Sequence, residues 1–151
     1  MKVASVETYR VDMPMKGFYK NARHDHDLQP CVLVRVRTDD GLEGMCDVEP
    51  FSGYSSAGRD GTADAIENVL GPALLGADPR RAREATRRMN EAASGFSEAK
   101  AALDIALADI HAKALGVPLH ELLGGAVRDE ILFNAWIGVQ PPEQAAAEAR
   151  A

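Results

Sequence analysis

Apolar residues recur at spacings of three and four between Ser97 and Gly125. Ala99, Ala102, Leu103, Ala106, Leu107, Ile110 and Ala114 lay one stripe along a helix there. Ser97 stands where an N-cap belongs, Gly116 where a C-cap belongs, and Pro118 prevents continuation. Most of the stripe is alanine, so its neighbours approach closely. The helix is expected at the centre of its domain, touched from more than one side.

Upstream the period changes to two. Met1 to Val11 alternates loosely through Val3, Val6, Tyr9 and Val11 and reads as a first strand ending near Pro14. In Cys31–Arg37 the valines Val32, Val34 and Val36 point one way and Arg35 and Arg37 the other. Asp39–Gly41 supplies a turn, and Leu42–Val48 returns antiparallel. Met15–Gln29 and Glu49–Gly61 show no period and read as loops, of a length that is usually functional or disordered in a compact domain. A helix is predicted over Thr62–Leu70 with Ile66, Val69 and Leu70 inward, and Asp78–Pro79 opens another. Three antiparallel strands followed by three helices make an α+β arrangement.

Ile131–Val139 breaks the pattern. This almost continuous apolar run reads as a strand buried on both faces of a parallel sheet. Pro141–Pro142 and the residues after it begin a helix. One such strand and a few helical turns cannot bury themselves, and unpaired strand edges are avoided in soluble proteins.

Composition narrows the function classes. The 151 residues carry 46% hydrophobic but only 5% aromatic side chains, so Ala, Val and Leu must fill the interior. A formal charge of -6 argues against nucleic-acid or anionic-membrane partners, which favour a basic face. Arg80, Arg81, Arg83, Arg87 and Arg88 form an arginine run with no interleaved aromatics and read as a solvated or interdomain face. Residues 1–30 hold no apolar run, so no signal peptide or membrane span is expected and the location is expected to be cytoplasmic. Cys31 and Cys46 fall out of register on paired strands and read as free thiols.

The stretch AKAALDIALADIHAKALGVPLHELLGG (residues 99–125), followed by Arg128, carries a resemblance. It is similar to the end of the N-terminal capping domain in the mandelate racemase / muconate lactonizing enzyme family of the enolase superfamily. The resemblance implies a capping domain over residues 1–125 and the first strand and helix of a truncated (β/α) barrel over 126–151. A barrel needs on the order of 200 residues or more, so the chain is expected to be the N-terminal part of a longer enzyme. Members remove a proton from the carbon next to a carboxylate and stabilise the enediolate with Mg²⁺, using a Lys or His base. A racemase, epimerase, cycloisomerase or dehydratase of a small carboxylic acid is implied, working with its own barrel domain and assembled as a homo-oligomer. The base and the metal ligands belong to barrel positions beyond Ala151, so this chain alone is expected to be inactive. The rival is a binding or interaction module that keeps only the capping fold.

By the same resemblance, Met15–Gln29 and Glu49–Gly61 correspond to lid loops that shape the substrate pocket. Phe18, Tyr19, Phe51 and Tyr54 are then candidates for contact with a substrate tail, the alternative being that they anchor the loops. His24 and His26, within His-Asp-His-Asp, suggest a metal pair, but no third fixed ligand is in view; a substrate contact is the remaining functional reading. Trp136, on the presumed barrel strand, lines either the pocket or the barrel core. Lys100–Asp104 and Asp109–Lys113 are i,i+4 pairs, and the two aspartates stand about 140° apart around the helix. They are expected to tie the helix to its neighbours.

Overall fold

The computed structural model describes residues 1–21, 25–51, 55, 57–134 and 136–150, with backbone alone for residues 16–19, 25 and 26. Strands β1 (Val3–Lys20), β2 (Asp25–Thr38) and β3 (Glu43–Val48) form one antiparallel sheet in the order β1-β2-β3. Val32 faces Val48, Val34 faces Cys46 and Val36 faces Gly44 across the second ladder. The turn between them lies where Asp39–Gly41 predicts it. Thr38 closes it, because its hydroxyl accepts the Leu42 N–H at 3.0 Å and donates to Asp40 at 2.6 Å. Cys46 stands opposite Val34, three residues along β2 from Cys31, and neither cysteine is in a disulfide.

The first helical stretch begins earlier and runs on longer than the pattern predicts. Helix α1 (Arg59–Ala65) passes into a π-helical turn (Ile66–Leu70) and then α2 (Gly71–Leu74). In the π turn the Gly71 N–H reaches back to the Ile66 carbonyl. Pro72 follows with no N–H to give, so the normal ladder cannot continue through it. Helix α3 covers Ala82–Ala92, not the residues directly after Asp78–Pro79. Asp78 instead caps a separate turn, accepting the Arg80 N–H at 3.0 Å and pairing with the Arg80 guanidinium at 2.7 Å. That guanidinium holds the Asp78 carboxyl well below the usual carboxylate range. Most of the arginine run is paired close by, Arg88 with Glu84 at 2.7 Å and Arg87 with Glu91 at 2.6 Å.

Helix α4 (Ser97–Leu115) is the central element predicted, touching β3, α1, α3 and α5 (Leu119–Leu122). Its cap is Phe96 in the left-handed region, φ 52°, so Ser97 is the first helical residue instead of the cap. Gly116, φ 69°, ends it as predicted. The stripe from Ala99 to Ile110 is buried against Val32, Val34, Val36, Ile66, Leu70, Leu74 and Met89 in one core cluster. Ala114 is exposed, and Ala112 is buried in its stead.

The charged pairs of α4 behave differently from one another. Lys113 binds Asp109 at 2.7 Å and also donates to the Glu43 carbonyl at 2.8 Å, while Asp109 accepts the Met45 N–H at 3.2 Å. The pair thereby occupies backbone groups of β3 that have no partner strand. The expected Lys100–Asp104 pair does not form. Lys100 turns to the end of α3, where it donates to Asn90 at 2.9 Å and to the Ala93 carbonyl at 2.7 Å. The free carbonyls and dipole at a helix C-terminus favour a cation, whereas an exposed ion pair contributes little.

Two compact units are distinguished, residues 1–11 with 30–126, and residues 12–29 with 127–151. In the second unit, α6 (Pro142–Glu148) follows Pro141 as predicted. Ile131–Val139 is not a strand buried on both faces. No sheet includes its described residues, and Leu132 and Phe133 are 94% and 91% exposed. A parallel strand needs a neighbouring strand to pair with, and among the described residues none pairs with this run.

Candidate functional site

The segment Met15–Gln29 is not a loop over most of its length. β1 continues to Lys20 and β2 starts at Asp25, so it is an arm of two strands with a short connection. The prolines that hide it from a pattern reading sit where they cost little. Pro14 lies on β1, an edge strand, and Pro30 lies on β2 before its pairing with β3 begins at Val32. The segment's sequence also lacks the alternation by which strands are recognised.

The arm carries Phe18 and Tyr19 on β1 and His26 on β2. Their side chains, and all of His24, lie outside the described residues. In the same unit the Val139 N–H donates to the Lys20 carbonyl at 2.9 Å, which brings the segment of Trp136 to the end of β1. The Trp136 ring, 51% exposed, packs over Gly138. This approach of Lys20, Trp136 and Gly138 left no signal in the sequence, since a backbone bond depends on no side-chain type.

The second predicted loop is shorter than expected, because α1 begins at Arg59. The Phe51 N–H donates to the Ser55 hydroxyl at 2.6 Å and the Ser55 N–H to the Phe51 carbonyl at 2.9 Å. These reciprocal bonds tie Phe51 to Ser55, next to the buried Pro50, with Phe51 half-buried. Tyr54 lies outside the described residues.

On the side of the sheet away from the helices, Arg35 binds Glu7 and the Tyr9 hydroxyl, with its guanidinium carbon 5.3 Å from the Tyr9 ring centre. Arg37 pairs with Glu43 at 2.6 Å. Hydrogen bonds from Arg35 and then Tyr9 lower the Glu7 pKa to about 2. The cluster is internally paired, which suits a structural role. Desolvation raises the Cys46 pKa, so its thiol is no ready nucleophile. Among the described residues no group of three His, Cys, Asp or Glu side chains is placed to hold a metal ion. The chain's described carboxylates are therefore not grouped to hold Mg²⁺. Among the described residues no helix is long and apolar enough to cross a membrane.

Residues 4–124, spanning sheet and helices, match the family described as mandelate racemase / muconate lactonizing enzyme, N-terminal domain. The chain belongs to this family. Its sheet and helices are the family's capping domain, and its relatives are enolase-superfamily enzymes. The cis-3-hydroxy-L-proline dehydratase of Roseibium aggregatum is 34% identical over 95% of this chain and 40% of its own length. The crystal structure of N-succinyl Arg/Lys racemase from Bacillus cereus superimposes with a TM-score of 0.94 at 27% identity, over 99% of this chain and 40% of that one. The dipeptide epimerase of Enterococcus faecalis, complexed with Mg and a dipeptide, gives 0.90 at 25% identity over 99% and 42%. Relatives also include muconate cycloisomerases. The chain spans about 40% of the length of the first curated relatives it matches.

Proposed function

We propose that this chain is the substrate-covering N-terminal part of an enzyme that removes the proton next to the carboxylate of a small acid. The complete protein would be a racemase, epimerase, cycloisomerase or dehydratase, with residues 126–151 opening its barrel. The observation that carries the reading is the family match across residues 4–124.

A carbon acid of this kind is weak, and its enediolate must be stabilised as it forms. The base and the metal would come from barrel residues outside this sequence. The contribution assigned to this chain is exclusion of water and shaping of the pocket. The arm around Phe18, Tyr19, His24 and His26 and the segment around Phe51 and Tyr54 would each help to cover the pocket. Closure strengthens every electrostatic interaction beneath it. Trp136 would line the pocket where the barrel begins.

The experiment is to follow exchange of the α-proton with solvent deuterium by NMR, using the protein continued to its natural C-terminus. L-Ala-L-Glu, N-succinyl-L-arginine and cis-3-hydroxy-L-proline serve as probes, since they represent the reactions for which relatives are named. Exchange that depends on added Mg²⁺ supports the reading. No exchange with any of the three, with or without Mg²⁺, would leave the chain a binding module.

A further inference from the structure

The second compact unit contains one unusually close approach. A Cβ built on Gly138 would lie 3.1 and 3.2 Å from Cζ3 and Cη2 of Trp136 and 3.3 Å from the Lys20 nitrogen. Ordinary carbon contacts run at about 3.5–4.0 Å, so any side chain here must push the ring or the strand aside. The neighbouring Val139 N–H holds the Lys20 carbonyl at 2.9 Å.

We propose that Gly138 is a positioning residue for the arm: by having no side chain, it lets Trp136 and the end of β1 meet, so that Val139 can fix Lys20. The inference rests on the substrate-covering reading of the arm. A two-stranded ribbon is marginally stable by itself, and Asp12, Met13, Asp27 and Leu28 of this one are exposed. It therefore needs a hold near its end. Lys20 is the last residue of β1, adjacent to Tyr19 and two residues from Phe18, so a bond at its carbonyl sets where that part of the strand stands.

Two variants of the full-length protein test this. Gly138→Ala adds the obstructing Cβ, and Val139→Pro removes the donor. Hydrogen exchange should show a protected Val139 amide in the wild type and lose that protection in Gly138→Ala. With whichever of the three acids named above is turned over, both variants should raise KM at least about threefold while kcat stays within about twofold, the pattern of lost substrate binding. A retained Val139 protection in Gly138→Ala, or unchanged KM in both variants, overturns the proposal. Phe18→Ala with Tyr19→Ala separates the two levels. If it raises KM and the Gly138 and Val139 variants do not, the arm covers substrate without this hold. If none of them changes KM, the covering role fails and the positioning role with it.

Discussion

Gly44 on β3 lies against Ala106 on α4 so closely that a Cβ on Gly44 would stand 2.0 Å from the Ala106 carbonyl oxygen. It would also stand 2.8 Å from Cγ1 of Ile110. The obstacle is backbone, so it cannot swing away. Gly44→Ala should force β3 off the helix and destabilise the fold by about 1–3 kcal/mol or more, read as a shift in the urea midpoint. An unchanged midpoint would mean that sheet and helix are not in this contact.

The Asp109–Lys113 pair covers the edge of β3 through Met45 N–H and the Glu43 carbonyl. Replacing both by alanine should cost about 1–2 kcal/mol, since the freed groups are partly exposed and water compensates them. The larger effect expected is association through the bared edge, visible by light scattering at rising concentration. A variant that stays as monodisperse as the wild type would show that the edge is protected some other way.

Glu7 sets an acid limit. Its folded pKa of about 2 lies below its ordinary 4.5, so the Arg35 and Tyr9 bonds stabilise the ionised form. A depressed carboxylate contributes fully above its unfolded pKa and loses that contribution as the pH falls. Stability should therefore decline from about pH 4.5 towards pH 2, and Glu7→Gln should flatten that part of the profile. Thermal melts across this range, compared between the two proteins, make the measurement. Parallel profiles would remove Glu7 as the cause.

Residues 1–151 expressed alone are expected to bind Mg²⁺ weakly and to turn over no chiral acid. Isothermal titration and polarimetry check both. Measurable racemisation by this fragment would place catalytic groups within it.

In the full enzyme, Tyr54→Ala should lower kcat/KM or change substrate preference while leaving Tm almost unmoved. The reverse pattern would make Tyr54 an anchor of its segment.

What the sequence by itself determined is every element backed by a buried face. The valines of β2 and the alanine-rich stripe of α4 announce their periods because one side of each is shut away from water. The arm from Asp12 to Gln29 has no such side in the pattern, and its prolines and charges read as a loop although its backbone is strand. The run Ile131–Val139 shows the opposite failure. Its composition asks for a doubly buried strand, yet pairing needs partners that composition cannot supply, and its described residues join no sheet. Only the tertiary structure decided that Asp109 and Lys113 meet β3, that Lys100 turns to α3, and that Val139 holds Lys20. Each of these bonds ends on a backbone N–H or carbonyl, which every residue but proline carries alike. Which of those groups a side chain or a distant amide reaches depends on where the fold brings them, and no residue type records it.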